Sequence, residues 1–161
     1  MVVLSPQTTV AFDHAGNVDL WKHHKTAFLC SRKVPATQVL KCYDWAIAMR
    51  DAGKCVILGA HSQLEKDVLH YLLKGTQPVV IVLARRMKKK LDEEFIPEVA
   101  KGRLLVVAPL VLQGTRVTEK TAAMRNAFML EHAHEVVVGH IDPRGSLANS
   151  LSELGARAIT L

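Results

Sequence analysis

Residues 114–126 read GTRVTEKTAAMRN. They are followed by the apolar run EVVVG at residues 135–139 and by the turn PRGS at residues 143–146. This order predicts a loop, a helix, a buried strand and a second glycine turn. Thr118 is a favourable N-cap residue for the helix, and Glu119 then lies in its first turn, where a negative charge is stabilising.

The predicted helix has one polar and one apolar face. Thr118, Thr121 and Arg125 follow at spacings of three and four residues, so they share the polar face. The apolar face, which can pack on a sheet, contains Ala123, Ala127 and Leu130. A helix that begins after a glycine loop offers free backbone N–H groups and a positive dipole end, and Arg116 lies in that loop. The stretch therefore predicts a site for an anion.

The rest of the chain alternates short apolar runs with segments of helical periodicity. Further strands are predicted at residues 27–30, 55–58, 78–83, 104–107, 136–138 and 157–160. Further helices are predicted at residues 37–52, 64–74, 87–101 (interrupted near Pro97) and 146–154. Strands that are apolar on both faces and alternate with helices are typical of a mostly parallel sheet covered on two sides. We therefore predict one α/β domain, a three-layer Rossmann-like domain with a mostly parallel sheet, at residues 27–161. It follows an N-terminal extension at residues 1–26, to which the pattern assigns no structure.

Composition favours acidic partners. The 161 residues contain 21 Lys and Arg against 15 Asp and Glu, a net charge of +6, which suits nucleic acids and nucleotides. No apolar run reaches the ~20 residues of a membrane span, and no signal-peptide pattern is present, so we expect a cytoplasmic protein without membrane contact. The three cysteines lack paired metal spacing, so we expect no metal site and no cofactor.

Ligands of parallel sheets bind at the edge formed by the carboxyl ends of the strands. The loops after the predicted strands, with the helix N-terminus described above, supply the candidate ligand-binding residues Ser31, Arg32, Gly59, His61, Ser62, Arg116, Arg125, Asn126, Gly145 and Ser146. We expect Arg32, Arg125, Asn126 and Ser146 to converge on one anion-binding pocket. Arg125 is expected to face solvent and reach back towards the loop, because helical side chains point that way.

Five cations occur within six residues, at Arg85, Arg86, Lys88, Lys89 and Lys90. We call this run the basic segment. Three acidic residues follow it at positions 92–94, so one interpretation is a solvated helix face with internal ion pairs. The other is a surface that contacts nucleic-acid phosphates, which requires only a high density of positive charge. No pattern in the chain identifies a catalytic residue.

The candidate residues resemble the motifs of a known family. Ser31-Arg32, Gly59, Arg125-Asn126 and Gly145-Ser146-Leu147 are similar to motifs in the Rossmann-like domain of bacterial DNA-processing protein A. In that family a Ser-Arg pair, a glycine-rich loop, an Arg-Asn-Arg motif and a Gly-Ser-Leu turn line a positively charged pocket for single-stranded DNA. The resemblance implies binding of single-stranded nucleic acid and allows a homodimer. This sequence departs from the family at Ala127, which replaces the second arginine of Arg-Asn-Arg.

The wider superfamily keeps a second function open. It includes nucleotide-sensing domains, molybdenum-cofactor carrier-like proteins and phosphoribohydrolases, so the alternative is a binder or sensor of a small nucleotide-derived ligand. The phosphoribohydrolases use a Pro-Gly-Gly-x-Gly-Thr-x-x-Glu motif. When Gly145-Ser146 is matched to its Gly-Thr, Asn149 takes the place of the glutamate. The resemblance therefore favours a binding protein over an enzyme, because no carboxylate stands ready for glycosidic cleavage.

Overall fold

The computed structural model describes residues 2–4, 11–155 and 158–161. Within these ranges the strands are β1 (Val2–Leu4), β2 (Ala11–Gly16), β3 (Lys25–Leu29), β4 (Cys55–Leu58), β5 (Val79–Val82), β6 (Leu104–Pro109), β7 (Glu135–Val138) and β8 (Ile159–Thr160). The helices are α1 (Ala36–Asp51), α2 (Gln63–Leu73), α3 (Ile96–Ala100), α4 (Glu119–His132) and α5 (Ser146–Leu154). None of the helices in this described part combines the length and the apolar character that crossing a membrane requires.

The strands form one sheet in the order β1-β2-β6-β5-β4-β3-β7-β8. All neighbouring pairs from β6 to β8 are parallel, whereas β2 is antiparallel to both β6 and β1. The prediction of an α/β fold with a mostly parallel sheet is confirmed. The chain runs outward from β3 through β4 and β5 to β6, and then returns to β7 on the other side of β3. The direction of winding therefore reverses at β3. The loops after β3 and β7 lead to helices on opposite faces of the sheet, which leaves a crevice between them.

Both faces of the sheet are buried. Ala27 and Leu29 of β3 point into one apolar cluster, whereas Phe28 between them points into the other. The first cluster includes side chains of α4 and α5, and the second includes side chains of α1 and α2. Helices thus cover each side of the sheet, which gives the three predicted layers.

Part of the N-terminal segment completes the sheet. The sequence assigned no structure to residues 1–26, because their apolar pieces are too short to show a period. In the structure β2 pairs with β6, and Phe12 packs against Trp21 of a short 3₁₀ helix, Val18–Lys22, with ring centroids 4.8 Å apart. These aromatic side chains are buried in the same cluster as Phe128 of α4. The segment therefore closes the β6 edge of the parallel sheet.

The helix predicted over residues 87–101 is wrong for residues 87–92 and forms only in part beyond them. Only a 3₁₀ turn, Glu93–Phe95, and the five-residue helix α3 form there, and the basic segment is irregular. Pro97 occupies the first turn of α3. In a longer helix its ring would collide with the carbonyl of residue 93, so the helix must begin beside the proline. Consecutive lysines also repel one another, which further disfavours a helix.

Several strand boundaries differ from the prediction by one or two residues. The first predicted strand begins two residues earlier, at Lys25, whose side chain is buried and donates hydrogen bonds from Nζ to the carbonyl oxygens of Trp21 and His23. A buried lysine of this kind has no signature in an apolar pattern. The predicted strand at residues 157–160 is seen as β8, and Arg157 lies outside the described residues.

Candidate functional site

The loops after β3, β4 and β7, together with α4, enclose a cavity of about 240 Å³ at the edge where the parallel strands end. The cavity lies where the winding of the sheet reverses, and we call it the switch-point pocket. Eight of the ten candidate ligand residues line it, namely Ser31, Arg32, His61, Ser62, Arg125, Asn126, Gly145 and Ser146. Parallel topology explains this convergence, because the loops after neighbouring strands meet at one edge.

Arg125 is the central cation of this pocket. Its side chain is only 4% exposed, so the expectation that it faces solvent is wrong. Nε and Nη2 each donate a hydrogen bond to Asn126 Oδ1 at a distance of 3.2 Å. Within the described residues the guanidinium has no other hydrogen bond and no ion pair within 4.0 Å. Burial lowers the pKa of Arg125, and the negative charge of Glu65 opposes that effect. A buried cation that keeps N–H groups in reserve is suited to bind an anion.

Gly59 makes room for the guanidinium. A Cβ atom at this position would lie 2.5 Å from Arg125 Cζ and 2.6 Å from Nη1. Such distances are shorter than any real contact between these atoms, so only glycine allows Arg125 its observed place. The glycine after β4 thus determines where a side chain of α4 lies.

Replacing Gly59 with alanine should weaken anion binding. The new methyl group must displace the Arg125 guanidinium, which is the far end of a flexible side chain and can move out of its place in the pocket. We expect a loss of phosphate affinity measured by isothermal titration calorimetry, with the fold retained. Gly114→Ala is the matched control, because a Cβ atom there meets nothing within 4 Å. Equal phosphate affinity in both variants would contradict the role of Gly59.

A hydrogen bond from the loop after β7 to the end of β3 shapes the opposite wall of the pocket. Ser31 Oγ accepts a hydrogen bond from the backbone N–H of Asp142 at 2.8 Å, and Gly145 N donates to the Asp142 carbonyl at 2.9 Å. Gly145 is the N-cap residue of α5 and provides no side-chain cap. Among the described residues, no side chain therefore accepts a hydrogen bond from the first N–H groups of α5 at the pocket, where the helix dipole also favours negative charge.

His61 lines the pocket and follows a strained turn. Ala60 before it has a φ of 50°, in the left-handed region that alanine rarely adopts. Backbone strain of this kind clusters at ligand sites. Burial lowers the pKa of His61, and the charges of Arg125 and Arg32 lower it further. The negative charge of Glu65 opposes these effects.

Glu65 also lines the pocket and is absent from the residues that the sequence predicts there. It is 5% exposed, and its Oε1 accepts a hydrogen bond from Ser62 N at 2.9 Å, while Ser62 Oγ accepts one from Glu65 N at 3.2 Å. This capping box begins α2, and the Ser-x-x-Glu spacing at residues 62–65 is its sequence signal. Glu119 and Asp142 add two further carboxylates to the lining.

The remaining candidates lie elsewhere. Arg116 is exposed in the loop before α4 and does not line the pocket. A second cavity of about 400 Å³, which we call the side cavity, is lined by Gly59 and by Arg85 and Lys88 of the basic segment. Lys88 forms an ion pair with Asp92 at 3.3 Å. No group of three or more potential metal ligands occurs in the described ranges.

Comparison of the fold with solved structures gives a consistent result. DNA processing protein A from Helicobacter pylori superposes with a TM-score of 0.71, and the match covers 98% of this chain and 74% of that one. The chain has the Rossmann-like fold of DNA processing protein A. The Streptococcus pneumoniae protein of the same name superposes with a TM-score of 0.70 over 93% of this chain. This chain covers 54% of that protein, or about half its length.

These likenesses concern the fold, because sequence identities are 12% and 14%. The Moco carrier protein of Chlamydomonas shares the fold less closely, with a TM-score of 0.55, 11% identity, and coverage of 87% of this chain and 76% of that one. No protein-family model and no curated protein matches the sequence. The Helicobacter protein is described as binding single-stranded DNA.

Proposed function

We propose that this protein binds single-stranded nucleic acid and holds a backbone phosphate in the switch-point pocket. The observation that carries the proposal is Arg125, a buried cation without a carboxylate within 4.0 Å among the described residues, beside the uncapped N-terminus of α5. Two sources of positive potential thus point at one small cavity, which suits a phosphate group. The fold shared with a protein that binds single-stranded DNA supports the same assignment.

The alternative is a small nucleotide-derived ligand, which needs the same phosphate site but no extended surface. A catalytic role is less well supported. Asn149 is exposed on α5 and does not line the pocket. Of the carboxylates that do line it, Glu65 and Asp142 accept hydrogen bonds from backbone N–H groups, so both help to hold the pocket in shape. We also propose that the protein forms a homodimer, and analytical ultracentrifugation tests this by measuring the mass in solution.

Salt dependence separates the two ligand classes. A strand that contacts several cations releases several counterions, so log K for an oligothymidylate should fall against log salt with a slope of roughly −2 or steeper between about 50 and about 200 mM. A mononucleotide that fills only the pocket should give a slope nearer −1. Fluorescence anisotropy of labelled ligands measures both slopes. Equal shallow slopes for the two ligands would favour the small-ligand alternative.

The basic segment should contribute to the slope of log K against log salt for oligothymidylate binding. We expect Lys88→Glu with Lys89→Glu to weaken oligothymidylate binding and flatten its salt dependence, while mononucleotide affinity changes little. The control is Lys54→Glu with Lys74→Glu, an equal charge change at exposed residues where strands begin rather than end. If both double variants affect oligothymidylate binding equally, the basic segment is only a solvated surface.

A further inference from the structure

Two cysteine side chains meet beside the switch-point pocket. Cys30 directly follows β3 and lines the pocket, whereas Cys42 is fully buried in the apolar cluster that α1 shares with the sheet. A Cβ atom at Gly139 would lie 2.5 Å from the sulfur of Cys42 and 3.1 Å from that of Cys30, so both sulfur atoms lie within 3.1 Å of one point. Because residue 139 is glycine, it has no side chain that would separate the two thiols.

Hydrogen bonds hold the backbone around the two thiols in place. Ser31 N donates to the His140 carbonyl and Gly139 N donates to the Leu29 carbonyl, each at 2.9 Å, so the end of β3 is tied to the end of β7. Gln38 Nε2 of α1 donates to the Gly139 carbonyl at 3.0 Å, which ties the helix to the same place. Disulfide geometry is narrow, with a sulfur–sulfur distance of about 2.05 Å, so only cysteines that the fold already holds together can form one without moving the backbone.

The two thiols also share a proton. A hydrogen bond with Cys42 raises the pKa of Cys30, as burial does, and the backbone N–H of His140 opposes this effect. The same hydrogen bond lowers the pKa of Cys42, and burial opposes it there. The pair therefore releases one proton more readily than it releases the second. The result is a thiolate beside a thiol, and the thiolate is the form of cysteine that reacts with oxidants.

We infer that Cys30 and Cys42 form a dithiol site at which a hydroperoxide is reduced and the two sulfur atoms are joined in a disulfide. Cys30 is the sulfur that the oxidant reaches, because Cys42 is fully buried and does not line the pocket. The inference does not depend on which ligand the pocket binds.

The reaction proceeds in two balanced steps. A shift of the shared proton to Cys42 leaves the thiolate on Cys30, which attacks the hydroperoxide. A sulfur–oxygen bond forms, the oxygen–oxygen bond breaks, and the leaving hydroxide or alkoxide takes a proton from solvent. Cys42 then loses its proton and attacks the sulfenic sulfur of Cys30, which closes the disulfide and releases water. Two electrons thereby pass from the pair to the hydroperoxide.

The test treats the unmodified, reduced protein with hydrogen peroxide. Free thiols, counted after quenching and denaturation, should fall from three to one, and dithiothreitol should restore them. Tryptic digestion without reduction should join the peptides of residues 26–32 and 42–50 into one species that is lighter than the two together by two hydrogen atoms. Retention of all thiols, oxidation without a cross-link, a link to the peptide of residues 55–66, or a link between two protein molecules would overturn the inference.

Substitutions separate the pair from the remaining cysteine. Cys42→Ala leaves Cys30 without a second thiol, so the peptide of residues 26–32 should gain oxygen atoms instead of a cross-link. Cys55→Ala is the matched control, because Cys55 is also buried but lies in the other apolar cluster, where burial raises its pKa to about 11. This variant should form the disulfide as the unmodified protein does. A cross-link that persists in Cys42→Ala, or that is lost in folded Cys55→Ala, would contradict the assignment.

The order of the two steps has its own variant. Cys30→Ala removes the sulfur that lines the pocket and leaves the fully buried one. Cys42 should then keep its thiol under the peroxide treatment that oxidises the unmodified protein. Oxidation of Cys42 at an undiminished rate would show that the oxidant does not act first on Cys30.

Discussion

Replacing Arg125 with methionine should lower phosphate and oligonucleotide affinity by roughly ten- to a hundredfold, because a hydrogen bond to a charged group contributes about 1.5–3 kcal/mol. Stability should change little or increase. Burial already disfavours the guanidinium, and replacing a buried charge by an apolar side chain of similar size is often neutral or stabilising. Calorimetric titration with inorganic phosphate, alongside thermal unfolding, measures both effects.

Arg116→Met provides the matched control. It removes the same charge from the loop that leads into α4, but its side chain is exposed and outside both cavities. We expect phosphate affinity close to that of the unmodified protein. The pocket hypothesis fails if both variants lose phosphate affinity equally. It also fails if Arg125→Met is strongly destabilised but the molecules that remain folded bind phosphate almost as well as the unmodified protein.

The opposite result is expected at Arg103, which is a structural arginine. Its side chain is 6% exposed at the beginning of β6, and its guanidinium donates to the carbonyl oxygens of Leu72, Leu73 and Gln77 at 3.0 Å and to Glu98 Oε2 at 2.9 Å. Arg103→Ala leaves the last carbonyls of α2 and a carboxylate without this donor. We expect a loss of roughly 3–5 kcal/mol in the free energy of unfolding, measured by urea denaturation.

Lys101→Ala and the pH dependence check this assignment. Lys101 Nζ also contacts Glu98, at 3.2 Å, but its side chain is 65% exposed, so its loss should cost less than about 1 kcal/mol. Hydrogen bonding to Arg103 holds the pKa of Glu98 below its ordinary value of 4.5. The stability gained from this pair is therefore present above pH 4.5 and is lost as the pH falls through the lowered pKa. The difference in the free energy of unfolding between Arg103→Ala and the unmodified protein should therefore decrease at acidic pH. If this difference does not depend on pH, Glu98 is not the partner of Arg103.

The two arginines illustrate what the sequence predicts and what it leaves open. Topology places Arg103 before a strand and Arg125 near the loops that follow strands, and the parallel order of the sheet is enough for that distinction. The burial of the Arg125 side chain, however, is not predicted by the sequence. Thr118 and Thr121 share a helix face with Arg125, and this polar face predicts that Arg125 is exposed to solvent. The guanidinium is buried instead, because Gly59, on a different loop, allows it to approach the backbone. A contact between distant segments has no trace in local periodicity.

The same reasoning explains the other differences. The strand at residues 55–58 was predicted with its observed bounds, because four consecutive apolar residues between turn signals have few alternatives. The strand β2 was not, because its sequence AFDHAG contains a single large apolar side chain. Its place depends on packing between Phe12 and Trp21, which only the folded chain brings together. Lys25 is buried for a similar reason, since the carbonyl oxygens that accept hydrogen bonds from its Nζ belong to Trp21 of a 3₁₀ helix without a sequence signature and to His23 directly after it.

The hydrogen bond from Asp142 N to Ser31 Oγ joins residues 111 positions apart, and the pocket it borders has no counterpart in the unfolded chain. Binding and folding are therefore linked by mass action. A ligand of the pocket binds the native state alone, so it shifts the folding equilibrium of the whole sheet by RT ln(1 + [L]/Kd), about 2.7 kcal/mol at a hundred times Kd. At concentrations well above Kd, a true ligand must consequently raise the melting temperature roughly in proportion to the logarithm of its concentration. Unlabelled compounds can thus be ranked by the heat stability they confer, before the identity of the natural ligand is known.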